Sequence, residues 1–262
     1  MKDLLRIAIL ASLEAGSAIM EIYDNDDFGV DFKKDDSPLT KADIASHNII
    51  LKALEETKIP VLSEEGRNID YEERKAWSTL WIVDPIDGTK EFIKKNGEFT
   101  VNIALVENQK PVLGVIYVPA LQNLYYALAT QGSFKAENIS FNASLESISE
   151  ASQKLPLKLA KDKYTIVASK SHLSKETEDY IEGIKNEHGE VETISKGSSL
   201  KLCMVAEGQA DCYPRFAPTM EWDTAAGHAI CLYAGKKVID QNTSEEMLYN
   251  RENLLNNWFV AH

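Results

Sequence analysis

A layered α+β architecture is the fold class this chain predicts, on three observations. β-forming segments crowd the middle third of the sequence. Helical periodicity dominates both ends. No internal repeat, low-complexity tract or flexible linker interrupts the 262 residues. Helices and strands segregated in this way bury their apolar faces in layered α+β or α/β domains.

The elements follow in order. Leu4, Ile7, Ala8, Ala11, Ala15, Ala18, Ile19 and Ile22 recur at helical spacing, so residues 3–22 form one amphipathic helix. Asp3 and Arg6 lie inside it and no small-residue cleavage site follows, which argues against a signal peptide. A polar turn, D-N-D-D-F-G, comes next, then S-P-L-T-K-A-D ahead of a second helix carrying Ile44, Leu51 and Leu54. Thr40 and Asp43 fit the capping box that starts a helix. Pro60 to Ser63 is a short strand ending in Glu64 and Glu65. Thr79 to Val83 is another; it delivers Asp84 to its end, where Pro85, lacking an N–H, breaks it. Phe99 to Val106, a turn at Asn108-Gln109, Pro111 to Val118 and Leu124 to Leu128 continue a meander. Residues 136–163 read as loop with short strands. Tyr164 to Ala168 opens a second unit, with helices near 174–186, 199–207 and 222–234 and strands near 191–194 and 210–213. A composition shift near residue 136 divides the chain into 1–135, an α+β unit, and 136–262, an α/β unit, within one compact fold.

Composition narrows the function. Hydrophobic residues make up 44% and charged residues 26%, which excludes a disordered tail, a collagen-like fibre and a disulfide-rich mini-protein. No apolar run approaches the ~20 residues of a membrane span. The 28 Lys and Arg against 41 Asp and Glu give a net charge of -13. That argues against a nucleic-acid polymer as partner, since Lys and Arg contacts to phosphate dominate such binding. A small phosphorylated ligand stays open, because bound cations invert the local charge. Cys203, Cys212 and Cys231 show no metal-ligand spacing and read as reduced structural thiols.

The chemistry concentrates in acidic groups at element ends. In W-I-V-D-P-I-D-G-T-K-E-F, residues 81–92, a strand presents Asp84, and Asp87 and Gly88 form a turn before a helix near Thr89. Gly88 permits positive φ or close backbone approach. The free N–H groups of a helix start suit an anion. Two carboxylates in a tight turn, with a backbone carbonyl such as that of Ile86, suit a hard cation such as Mg²⁺. Taken alone, D-x-x-D-G is equally an ordinary surface turn. Glu64 and Glu65 alone read as a solvated strand end, and Asp223 in E-W-D-T-A-A-G-H-A-I as a helix cap. His228 reads as a packing or polar-network residue. Convergence of the three acidic ends on one pocket would give a two-metal phosphoryl site.

L-S-E-E at 62–65, W-I-V-D-P-I-D-G-T at 81–89 and W-D-T-A-A-G-H-A at 222–229, in this order, resemble the lithium-sensitive, Mg²⁺-dependent phosphatase superfamily that includes inositol monophosphatases. The resemblance spans nearly the whole chain. D-G-T-K-E-F followed by N-G-E-F-T-V-N-I-A-L, with S-K-S-H at 169–172, G-S-S-L-K at 197–201 and Y-P-R at 213–215, is similar to its 3′(2′),5′-bisphosphate nucleotidase branch. The implied fold is an αβαβα sandwich. The implied activity is Mg²⁺-dependent hydrolysis of the 3′-phosphate of adenosine 3′,5′-bisphosphate, or of its sulfated relative 3′-phosphoadenylyl sulfate, in sulfur metabolism.

The resemblance also assigns roles. Glu64, Asp84 and the Ile86 carbonyl would hold one Mg²⁺, and Asp84, Asp87 and Asp223 a second. Glu64 and Glu65 would help a looser third ion. Gly88 and Thr89 would meet the scissile phosphate, and Asp43 with Thr89 would orient or deprotonate the attacking water. The capping role of Asp43 competes with that. His172, Ser198, Lys201 and Arg215 would read the nucleotide and its second phosphate. Residues 1–135 would then carry most metal ligands, and 136–262 substrate recognition and one ligand. A cytoplasmic location is implied, with peripheral contact to the inner membrane as an alternative. Two rival readings are a sugar phosphatase such as an inositol monophosphatase, and a non-catalytic metal- or nucleotide-binding protein.

Overall fold

Continuous apolar runs, rather than alternation, mark strands buried on both faces, and the central strands of this chain are built that way. In the computed structural model, which describes residues 1–25, 29–32, 38–168 and 174–262, they sit between two helical layers. The N-terminal elements are α1 (Lys2–Tyr23), β1 (Asp31–Phe32), β2 (Pro38–Leu39), α2 (Lys41–Glu55), β3 (Val61–Ser63) and α3 (Tyr71–Arg74). Then come β4 (Thr79–Asp87), α4 (Thr89–Ile93), β5 (Thr100–Glu107), β6 (Lys110–Val118), β7 (Asn123–Leu128) and β8 (Gly132–Ala136). The rest comprises α5 (Leu145–Ala151), β9 (Ser152–Lys154), β10 (Tyr164–Ala168), α6 (Lys175–His188), β11 (Val191–Ser195) and α7 (Leu200–Glu207). β12 (Tyr213–Arg215), α8 (Glu221–Tyr233), β13 (Val238–Asp240) and β14 (Phe259–Ala261) complete the chain.

β3 to β9 form one sheet in sequence order, antiparallel except for the parallel pair β3 and β4. The turn at Asn108-Gln109 has positive φ at both residues (48° and 66°), the geometry whose twist suits a tight hairpin. Alternate residues serve the two layers. Trp81 and Val83 of β4, with Val101, Ile103 and Leu105 of β5, pack under α1 and α2. Leu80 and Ile82, with Ala104 and Val106, pack under α7 and α8. Gly114 of β6 lets α8 lie close: a Cβ there would stand 2.4 Å from the Ala226 carbonyl oxygen. Beyond α7 lie the parallel pair β10 and β11 and the antiparallel order β12-β14-β13, bridged at Ile166 and Cys212. α6 covers their far side through β11 and β12. The layers are therefore αβαβα.

Five sequence expectations change. β4 does not break at Pro85 but runs to Asp87, with one extra residue between the pairs Asp84–Asn102 and Asp87–Thr100. Pro85 sits in that bulge, where no ladder N–H is needed. Of the three apolar residues read on α2, Leu54 is buried but Ile44 is 42% exposed, so they do not define its buried face. That face carries Asp43, Ser46 and His47 alongside Ala42, Ile50 and Leu54. The 136–163 stretch contains helix α5. The short strands β13 and β14 also went unforeseen. The seven-stranded sheet itself extends past residue 136, through β9.

Candidate active site

Register assembles the acidic cluster. Ser63 of β3 pairs with Val83 of β4 in parallel, so Glu64, just past the end of β3, lies beside Asp84, still within β4. The Glu64 N–H donates to the Val83 carbonyl at 3.1 Å and fixes that placement. Asp223 arrives from the opposite layer, in the first turn of α8, where one carboxylate oxygen accepts the Met220 N–H at 2.8 Å. Among the described residues, Glu64, Asp84 and Asp223 bring ligand oxygens within 4.8 Å of one another. Asp87 stands outside this trio, its Oδ2 receiving the Ser199 hydroxyl at 2.7 Å.

Electrostatics say what the cluster needs. Asp84 is 1% exposed. Burial, followed by the charges of Glu64, Asp87 and Asp223, drives its carboxyl well above the usual range. Asp223 is raised by burial and then by Asp87. Asp84 Oδ1 is buried with no protein hydrogen-bond partner. A buried unpaired carboxylate is costly, and a cation among these oxygens removes that cost and returns the groups to their ionised state. The donor set is all oxygen, which fits Mg²⁺. Ile86 can contribute only its carbonyl, since its side chain is buried in the core beneath α1 and α2.

Asp43 serves two partners with two oxygens. Oδ2 accepts the Thr40 N–H at 2.8 Å and the Thr40 hydroxyl at 2.6 Å, closing the capping box of α2. Oδ1 is 3.2 Å from the Thr89 hydroxyl, which also lies 3.3 Å from the Ile86 carbonyl. The competition anticipated between cap and site is thereby removed. Ser46, one turn along α2, donates to the Pro85 carbonyl at 2.8 Å and ties the helix to the bulge. Glu65 lies close enough to His47 to raise its pKa, against the larger lowering effect of burial.

A cavity of about 600 Å³ opens from Asp87, Gly88 and Asp223 toward Ser198, Lys201 and Arg215. Gly88, at φ 94°, and Gly197 make the junction between the turn and the 195–199 loop possible. A Cβ on Gly88 would lie 3.1 Å from the Glu98 carbonyl and 3.2 Å from Ser198 Cβ; one on Gly197 would lie 2.9 Å from Glu91 Cγ. Glu98 clamps the same loop, accepting the Gly197 N–H at 2.8 Å and the Lys196 ammonium at 3.0 Å. Lys201 is 6% exposed, and burial lowers its pKa to about 8 against the opposing pull of Asp87. Its ammonium donates to the Ser198 carbonyl at 2.6 Å and the Lys196 carbonyl at 3.3 Å. Arg215 donates to the Pro218 carbonyl at 2.8 Å, and its Nε is buried without a partner. His172 lies outside the described residues. His228 is, as expected, a buried network residue, with Glu246 at 2.7 Å and Tyr249 at 3.1 Å.

Sequence reasoning passed over Ser199, Glu98, Thr100 and Asn102. All four stood in motifs quoted for their likeness but were given no role: Glu98, Thr100 and Asn102 in N-G-E-F-T-V-N, and Ser199 in G-S-S-L-K.

Known proteins place this arrangement. CysQ of Salmonella typhimurium, named a 3′(2′),5′-bisphosphate nucleotidase, is 47% identical, with 94% of each chain covered. Its namesake from Escherichia coli K12 is 45% identical over the same shares. A crystal structure of CysQ from Bacteroides thetaiotaomicron matches with a TM-score of 0.92 at 53% identity, covering 100% of this chain and 97% of that one. Residues 1–261 match the inositol monophosphatase family. Sequence, layers and acidic cluster agree: the chain belongs to the inositol monophosphatase family.

Proposed function

We infer that this protein is a Mg²⁺-dependent phosphoric monoester hydrolase that removes the 3′-phosphate of adenosine 3′,5′-bisphosphate, giving AMP and phosphate. The observation that carries this reading is one cavity lined both by the carboxylates Asp87 and Asp223 and by Lys201 and Arg215. A substrate with one phosphate to cleave and a second to hold suits both sets of groups. Relatives named bisphosphate nucleotidases support that substrate class. The same site accommodates 3′-phosphoadenylyl sulfate, and the activity suits sulfur assimilation and nucleotide recycling.

Glu64, Asp84 and the Ile86 carbonyl would hold one Mg²⁺; Asp84, Asp87 and Asp223 would hold a second; Glu64 and Glu65 would steady a looser third. The bound ions would acidify a water and neutralise charge on the phosphoryl oxygens. The chain's own residues do the rest. Thr89 gives its hydroxyl proton to Asp43 Oδ1 and takes one from the attacking water, so the pair acts as a base. Asp43 cannot swing away, because Thr40 holds its other oxygen. Gly88 and Thr89 present the turn to the scissile phosphate. Lys201 has three N–H donors and spends two on backbone carbonyls, leaving one for the distal phosphate. Arg215 offers a planar guanidinium beside it. Ser198 lines the same cavity. His172 keeps its proposed nucleotide contact from the resemblance alone.

No helix among the described residues is long and apolar enough to cross a membrane. Three buried free thiols fit a reducing, cytoplasmic setting. The peripheral membrane contact implied by the resemblance gains no support here. Product analysis tests the reading. Adenosine 3′,5′-bisphosphate with Mg²⁺ should yield 5′-AMP; release of the 5′-phosphate, giving 3′-AMP, would overturn the assignment of which phosphate is cleaved and which is held.

A further inference from the structure

Beneath the acidic turn runs a file of buried polar groups. Thr100 and Asn102 face the α7 and α8 layer from β5 and are 0% and 1% exposed. In the sheet, Asn102 pairs with Asp84 and Thr100 with Asp87. Ser198 and Ser199 approach them from the loop before α7. Ser198 Oγ is 2.7 Å from Thr100 Oγ1, which is 2.9 Å from Asn102 Oδ1. Asn102 Nδ2 is 2.8 Å from Ser199 Oγ, which is 2.7 Å from Asp87 Oδ2 and 2.9 Å from the Asp223 carbonyl.

The direction of every proton in this file follows from its end. An ionised carboxylate and a carbonyl accept only, so Ser199 must donate. Its oxygen then accepts from Asn102, which must turn its amide NH₂ toward Ser199. The amide oxygen therefore faces Thr100, and Thr100 must donate to it. Thr100 in turn accepts from Ser198. Four hydrogen bonds thus point one way, from the substrate loop to Asp87, and such chains polarise each member.

We propose that Thr100 and Asn102 are positioning residues that, through Ser199, set the orientation of the Asp87 carboxylate for its metal and lock it to the Ser198 loop. This rests on the reading of Asp87 as a metal ligand. It accounts for Asp87 standing apart from the Glu64–Asp84–Asp223 trio: its carboxylate is aimed by Ser199. It also changes what Ser198 can do. Its hydroxyl proton goes to Thr100 and its oxygen accepts the Ser199 N–H at 2.6 Å, so it meets a ligand as an acceptor. Ser198 donates to a substrate phosphate only by releasing Thr100, which couples occupancy of the cavity to the metal end.

The test is calorimetric titration of Mg²⁺ into the substrate-free protein, with thermal unfolding of each variant. Thr100→Val and Ser199→Ala should each weaken Mg²⁺ binding about 10-fold or more, the usual cost of losing a group that orients a ligand. Thr100→Ser, which keeps the hydroxyl, should bind as wild type. In turnover, the Mg²⁺ needed for half-maximal rate should rise with little change in KM for adenosine 3′,5′-bisphosphate. Asp87→Asn is the control. If it loses Mg²⁺ affinity while folded Thr100→Val and Ser199→Ala keep theirs, the positioning role is wrong and the metal site stands. Loss in Thr100→Val shared equally by Thr100→Ser, with a matching fall in melting temperature, would reduce the file to structural packing. Wild-type affinity in Asp87→Asn would remove the metal reading itself.

Discussion

Asp84 is held at 1% exposure with one oxygen unpartnered and three other carboxylates acting on it. Asp84→Asn removes the cost of either ionising or protonating a buried carboxyl and supplies an amide that can donate to Glu64 or Asp223. In metal-free protein it should therefore raise stability, by on the order of 1 kcal/mol, while abolishing turnover and the stabilisation that Mg²⁺ gives the wild type. Melting curves with and without Mg²⁺ check both halves; a less stable apo variant would show that the cluster is not repulsive. Lys201 makes a pH prediction. Burial lowers its pKa to about 8 in the free protein, so it is charged below that pH and neutral above it. A dianionic distal phosphate needs the charged form. kcat/KM for adenosine 3′,5′-bisphosphate should thus fall as pH rises through about 8, beyond any fall seen with adenosine 3′-monophosphate. Lys201→Met should erase the difference. An identical alkaline limb for both substrates would detach Lys201 from the second phosphate.

β4 shows why local rules located the site but misjudged the element. Proline rules end the strand at Pro85, yet a bulge absorbs the missing donor and carries the strand to Asp87. The same bulge spaces Asp84 from Asp87. α2 misled for a related reason. Apolar periodicity selects Ile44 and Leu51, whereas the buried face carries Asp43, Ser46 and His47 because it abuts the turn, where Ser46 binds the Pro85 carbonyl. The capping box of α2 was different: the local spacing that forms the cap also aims the carboxylate. Asp223, read as the cap of its helix, sits three residues further in, where it accepts the Met220 N–H. Pair contacts such as Ser199 to Asp87 join residues far apart in the chain, and no spacing rule reaches them. α8 must also sit close to the sheet to deliver Asp223. Gly114→Ala would place a Cβ 2.4 Å from the Ala226 carbonyl and push the helix away. It should cost about 1–3 kcal/mol, as overpacking does, and weaken Mg²⁺ binding more than Gly183→Ala, where a Cβ meets nothing within 4 Å. Equal effects of the two changes on metal affinity would separate helix placement from the site.

A chain of net charge -13 is an unpromising receptor for a bisphosphate until its layers are considered. The first helical layer contributes Asp43, the seven-stranded sheet Asp84 and Asp87, and the third layer Ser199, Lys201 and Asp223. The site exists only where these layers meet; on the proposed reading, carboxylates attract cations and the cations, with Lys201 and Arg215, attract phosphate. Composition showed the paradox and the motifs pointed to the acidic residues; the convergence of Glu64, Asp84 and Asp223 needed the fold. One assay addresses the whole account: phosphate release from adenosine 3′,5′-bisphosphate and from inositol 1-phosphate, in parallel, with and without Mg²⁺. The expected result is Mg²⁺-dependent turnover strongly favouring the nucleotide. Preference for inositol 1-phosphate, or nucleotide turnover that ignores Mg²⁺, would contradict it.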